Sequence, residues 1–258
     1  MIFLWDGNTI TQVTDNSYDN YYPQISGSNV VWDGWDGYDN EIFMAVPVPI
    51  IYVDADATGV NNGSSWADAY NYLQNALAAA DPCDEILVAQ GTYKPDANSI
   101  DPNGSGDRTA TFQLINGVVI KGGYAGFGQT DPNRRDIERY ETILSGNINA
   151  LGDSSDNSYH VVTGTGTAHN AVLDGFTITA GNANGVSPYN IGGGMYNVSG
   201  SPTLTNCTFS ENWAYKGGGM LNNYSISTLI NCAFNNNSAD STGGGMENRQ
   251  SWVTVTNC

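Results

Sequence analysis

The sequence predicts an all-β solenoid, a coil of short strands in which each turn lies parallel on the turn before it. Two independent motifs carry the prediction. Gly192-Gly193-Gly194-Met195 recurs as Gly217-Gly218-Gly219-Met220 and as Gly243-Gly244-Gly245-Met246. Thr205-Asn206-Cys207 recurs as Ile230-Asn231-Cys232 and Thr256-Asn257-Cys258, and both motifs hold spacings of 25 and 26. Such a fixed period marks stacked repeats. Composition is the third observation. Only 13% of the 258 residues are charged and 31 are glycine, which excludes helical bundles and coiled coils. The formal charge of −18, from 8 basic and 26 acidic residues, excludes a phosphate-backbone binder, which needs clustered Lys and Arg.

Residues 1–45 read differently from the rest. Ile2-Phe3-Leu4 and Ile42-Phe43-Met44 open the same phrase 40 residues apart, with β-prone runs at Asp19–Ile25 and Asn29–Trp35 between them. Met1–Asp6 reads as the middle of a strand, without the charged and apolar regions of a signal peptide. Residues 46–51 form a linker, its prolines Pro47 and Pro49 favouring extended backbone.

Residues 52–258 form the coil. Its opening, 52–93, holds a strand at Ile51–Asp54, then Ser65-Trp66-Ala67-Asp68, whose spacing predicts a helix-starting capping box. Trp66, Tyr70, Leu73 and Leu77 follow at helical spacing until Pro82. Strands at Ile86–Val88 and Gly91–Tyr93 close this segment. Between 94 and 172 the rungs are irregular, at Phe112–Leu114, Val118–Ile120, Ile143-Leu144 and His160–Val162. From 173 to 258 they become regular, beginning with a degenerate copy at Leu173–Ile178 whose extra residues fit a loop at Val186–Asn190.

Alternation points Leu204, Cys207, Phe209 and Met220 inward and Thr205, Thr208 and Ser210 outward. Asn206, Asn231 and Asn257 sit where the chain must bend, since Asn tolerates left-handed backbone and its amide can bond the next Asn in the column. The glycine triplets suit tight bends. Cys207, Cys232 and Cys258 read as an interior stack of small apolar side chains, because neighbouring strands ~4.8 Å apart exceed the ~3.8 Å Cβ separation of a disulfide.

The paired Gly-Gly-Gly-Met and Phe-x-x-Asn motifs (Phe209 to Asn212, Phe234 to Asn237) resemble the repeats of chlamydial polymorphic outer-membrane proteins, with Met where that family has Ala-Ile. More broadly, 52–258 is similar to bacterial right-handed parallel β-helix proteins of the pectin-lyase-like type, in which one amphipathic helix caps the core. Residues 1–45 resemble one blade of a TolB-type β-propeller. The resemblance implies a secreted or cell-surface protein, bacterial outer membrane included, of adhesin or autotransporter-passenger character. Both ends read as cuts in a longer protein, and an uncapped last coil is expected to self-associate.

Candidate chemistry is sparse. The resemblance brings polysaccharide lyases and glycoside hydrolases as the enzymatic alternative, but the Asn-Thr-Asp, Asp-Asp, Gly-His-Gly and Arg-Ile-Lys motifs of polygalacturonases are missing. From 176 onward the charged residues are Glu211, Lys216, Asp240, Glu247 and Arg249, out of register with the repeat. No catalytic residue is assigned, and His160 and His169 lack a nucleophile or a metal-spaced partner. Asp33, Asp36, Asp39 and Glu41 miss the EF-hand spacing for Ca²⁺, and Asp54 and Asp56 are equally weak, so no metal or cofactor is assigned. Trp213 and Tyr215 flank inward Ala214, and Tyr196 follows inward Met195, so alternation places all three outside, where flat rings can stack on sugars. The expected function is a non-catalytic stalk for adhesion or carbohydrate binding, with a glycan or a host or neighbouring cell surface as partner. An inert spacer is the remaining reading.

Overall fold

The computed structural model describes residues 3–5, 10–12, 20–26, 29–35, 38, 40–45, 48–148 and 153–258. The chain divides into two compact units, Met1–Val48 and Pro49–Cys258. In the first, Phe3–Trp5 and Ile10–Gln12 pair antiparallel, and Asn20–Ser26, Asn29–Trp35 and Asn40–Ala45 form an antiparallel meander in which Val30 and Trp32 are buried. Of the acidic residues considered for Ca²⁺, Asp36 and Asp39 lie outside the described residues, as do Val46 and Pro47 of the linker.

The second unit is a stack of parallel sheets compatible with a solenoid. One seven-stranded sheet runs from Ile50–Val53 through Glu85–Ala89, Val119–Tyr124, Val172–Asp174, Thr203–Thr205 and Thr228–Ile230 to Thr254–Thr256. Two five-stranded sheets run alongside it, and a three-stranded sheet joins three of the coils, at Asn182–Ala183, Trp213–Lys216 and Ser238–Thr242. Every ladder among them is parallel and pairs a strand with its counterpart one coil away.

Register turns the sequence period into columns of like side chains. Ile51, Ile86, Ile120, Leu173, Leu204, Leu229 and Val255 stand over one another in the first sheet. Tyr93, Leu144, Ile178, Phe209 and Phe234 do so in the second, the last two with rings 4.9 Å apart and 5° from parallel. Phe112, Val162, Met195, Met220 and Met246 form the third column, and Ala183, Ala214 and Ala239 the fourth. Each large side chain fully buried here contributes roughly 1.5–3 kcal/mol. The methionines stand in single file, as the repeat requires.

Two of the three cysteines follow the same logic, and Cys258, expected inside, does not. Cys207 and Cys232 are buried free thiols and Cys258 is a free, exposed one. Burial pushes the Cys207 thiol up, whereas the hydrogen bond from Cys207 draws Cys232 down to about 7.

The opening segment departs from expectation. The helix spans Leu73–Ala79, not the whole stretch from Trp66, and Tyr72 caps it without a side-chain bond. The reason lies in Tyr70, whose backbone bridges Val53. Its N–H reaches the Tyr52 carbonyl at 2.9 Å and its own carbonyl accepts from Asp54 at 2.9 Å. That bridge covers the free edge of the first sheet, where unpaired groups would invite aggregation. Ser65 and Asp68 do bond reciprocally, each at 3.1 Å, but they close a loop instead of starting a helix. Leu73, Ala76 and Leu77 still bury against the core, as a cap should. Among the irregular rungs, Leu114, Val118, His160 and Val161 fall outside the strands.

The glycine triplets divide their work. Gly192, Gly217 and Gly243 have φ of 72°, 64° and 69° and make the bend. The next two serve close stacking. A Cβ at Gly218 would lie 2.2 Å from the Ser238 carbonyl oxygen, and one at Gly193 would lie 2.4 Å from that of Trp213. Gly218→Ala is therefore expected to destabilise the coil by more than about 2 kcal/mol, since backbone on the neighbouring coil must move. Gly166→Ala, where nothing lies within 4 Å and only the φ of 73° resists, should cost about 1 kcal/mol. Urea midpoints of the two variants check the contrast.

Candidate functional site

A cleft lies where the chain turns from the second sheet to the fourth. Ala180 and Glu211 occupy equivalent corners at φ of 61° and 56°. Beyond the second corner the strand Trp213–Lys216 buries Ala214 and turns the flanking residues outward. A wall is added by the short 3-10 helix Ser154–Asp156, capped by Asp153, which accepts from the Ser155 N–H at 2.8 Å. Together Ser154, Asn157, Gly181, Asn182, Asn184, Glu211 and Trp213 line a cleft of about 430 Å³.

Its walls are fastened from behind. Asn157 Nδ2 donates to the Ala180 carbonyl at 2.7 Å, and Asn182 Nδ2 donates to the Ser154 carbonyl. Arg108 reaches in from an earlier coil and donates to the Asn157 carbonyl at 2.6 Å, the Asn182 carbonyl at 3.1 Å and Asn184 Oδ1 at 2.7 Å. Its guanidinium lies 4.1 Å from the centroid of the Tyr159 ring, a cation–π contact. A run of rings continues from there: Tyr159 to Tyr189 at 4.9 Å, Tyr189 to His160 at 5.9 Å, and His160 to Tyr196 at 4.8 Å and 19°. His160 is buried, its Nδ1 2.9 Å from the Gly192 carbonyl.

The three aromatic residues singled out from sequence are therefore not equivalent. Trp213 lines the cleft. Tyr215 stands on the same strand across Ala214, 46% exposed, with the Lys216 ammonium 5.8 Å from its ring. Tyr196 belongs to a different sheet and is half-buried against His160; burial raises its phenol. Sequence reasoning missed Arg108, Asn157, Asn182 and Asn184. The available signal was the length of the early coils: Ile120 pairs with Leu173, and Leu173 with Leu204, so the surplus chain must loop out at some corner.

Elsewhere acidic groups are engaged or scattered. Both oxygens of Asp54 accept backbone N–H groups, from Asp56 at 2.9 Å and Phe127 at 2.6 Å, and burial raises its carboxyl. Among the described residues, no three His, Cys, Asp or Glu converge as a metal site.

Burial lowers His160 to about 4 from the ordinary 6.5, partly offset by its bond to Gly192. The folded chain thus favours neutral imidazole, and the unfolded chain takes up the proton first as pH falls. This contribution is complete above about 6.5 and is lost between 6.5 and about 4, amounting to roughly 3 kcal/mol at about 1.36 kcal/mol per pKa unit. Urea unfolding at pH 7.5 and 4.5 should show the native chain losing roughly 2–3 kcal/mol more than His160→Gln. Equal losses would refute the assignment. No family model, curated protein or solved structure matches the chain.

Proposed function

We propose that residues 49–258 form a right-handed parallel β-helix of the pectin-lyase-like type, serving as a secreted or cell-surface stalk that binds carbohydrate without cleaving it. The observation that carries this reading is the cleft beside Trp213. An indole placed next to amides and a carboxylate offers an apolar face for a sugar ring and hydrogen-bonding groups for its hydroxyls. Within that lining Glu211 is the sole carboxylate, whereas glycoside hydrolysis uses two flanking the bond. Repeated coils add length without new chemistry, which suits a stalk that holds a binding site away from a surface.

Polysaccharide cleavage has one observation in its favour. Glu138 and Glu141 line a second cleft of about 250 Å³ with Thr177, Asn206 and Thr208. Both carboxylates are exposed, and Glu141 already accepts from the Thr177 hydroxyl at 2.9 Å.

A glycan array with the whole chain is the direct test. Binding is expected, and Trp213→Ala should weaken it about tenfold, the loss of a stacked aromatic contact worth ~1.5 kcal/mol. Tyr196→Ala should leave affinity within twofold. Absence of any bound glycan, or unchanged affinity in Trp213→Ala, would sink the binding reading. New reducing ends or unsaturated uronates released from polysaccharide would favour the enzyme instead.

A further inference from the structure

Resting on the carbohydrate reading above, we infer that the Trp213 cleft selects sugars carrying a free amine, such as β-linked glucosamine, over neutral and acidic ones. The Nδ2 groups of Asn157 and Asn182 are spent on the carbonyls of Ala180 and Ser154. The Arg108 guanidinium behind the wall is engaged by three oxygens and the face of Tyr159. What remains is mixed: Asn184 Nδ2, the Ser154 hydroxyl and the Trp213 indole N–H can donate, and Glu211 brings the one charge in the lining. Asn157 is almost fully buried, and its Oδ1 meets no donor. That oxygen has no surface open to the cleft, so selection falls to Glu211.

Glu211 adds the charge. It lines the cleft together with Trp213, and its backbone holds a left-handed φ of 56°. The equivalent corner of the next coil carries Asn236 at φ 54°, the residue type that accepts this conformation most readily. Glutamate is a poorer choice for that backbone, and the position is where its side chain reaches the cleft. An ammonium brings three donors, no acceptor and a positive charge. It can face Glu211 while the sugar ring lies on Trp213, and indole is the aromatic best suited to a nearby cation. A uronate would bring a second negative charge to a chain already at −18. An N-acetylated sugar would replace three charged donors by one neutral N–H.

The test is calorimetric titration of the whole chain, near pH 6 and at physiological salt, with equal-length oligomers of glucosamine, N-acetylglucosamine and galacturonate. Glucosamine oligomers are expected to bind at least tenfold tighter than the N-acetylated ones, and galacturonate not at all. Glu211→Asn restores the residue type that the next coil uses at this corner, so folding is expected to persist, checked by its melting temperature. In that variant the preference should collapse to within about twofold. Equal affinity of the native chain for amine and acetyl forms would overturn the inference and leave the carbohydrate reading standing. A preference that survives in Glu211→Asn would overturn it too, since general attraction to a negative chain would then suffice. Failure of all three oligomers to bind, with no other glycan captured on the array, would remove both readings together.

Discussion

Left-handed corners, repeated in register, are the constraint on which the coil depends. In successive coils they fall at Gly175, Asn206, Asn231 and Asn257; at Ala180, Glu211 and Asn236; at Gly192, Gly217 and Gly243; and at Ser199, Tyr224 and Gln250. A left-handed L-residue costs roughly 1–2 kcal/mol relative to its right-handed form. The chain accepts that cost at every turn because the strands between corners must lie parallel, with like residues aligned. A corner that relaxed would slip its strand by one residue and turn the aliphatic and aromatic columns to solvent. Stacking therefore holds the corners, and the corners set the stacking.

Amide ladders run along these corners and have a direction. Asn257 Nδ2 donates to Asn231 Oδ1 at 3.3 Å, Asn231 donates to Asn206 at 3.1 Å, and Asn206 donates to Asp174 Oδ1 at 2.8 Å. The series ends on an ion pair, Asp174 with Arg135 at 2.9 Å. A carboxylate at one end orients every amide above it, and aligned hydrogen bonds polarise one another. The loop 131–136 thus serves as a docking point, with Arg135 also donating to the Gly122 and Asp174 carbonyls. Two further ladders point the other way. Asn197 donates to Asn222 and Asn222 to Asn248, each at 3.0 Å, and Asn212 donates to Asn237 at 3.0 Å. Opposed directions keep the summed dipole of the stack small.

Much of this was legible in the sequence because a repeat states its own geometry. Once Met195, Met220 and Met246 share a phase with Cys207, Cys232 and Cys258, alternation alone assigns the inner faces, and the asparagine bend column follows from residue type. The asparagines at 197 and 222 escaped notice because a buried amide pair leaves no apolar pattern to read. The capping helix was drawn too long for a different reason. Trp66, Tyr70, Leu73 and Leu77 hold helical spacing, but periodicity cannot reveal that the backbone of Tyr70 is needed to close a sheet edge. Of the cleft, Trp213 was found by alternation, whereas Arg108 and Asn157 come from coils whose loops have no period at all.

Regular and irregular coils consequently do different jobs. Where the period is strict, each residue is constrained by the copies above and below it, so a new side chain must suit a whole column. Loops thrown out of the longer early coils escape that rule, and they can bring Arg108, the 154–157 turn and Asn184 to one corner. Trp213 and Glu211 sit on the first regular coil beyond those loops, where a rigid column meets a wall free to vary. Glu211 shows the boundary within a single column: Ala180 below it and Asn236 above it satisfy the same backbone, and of the three only Glu211 lines the cleft. A site built this way takes its rigidity from the stack and its side wall from the insertions.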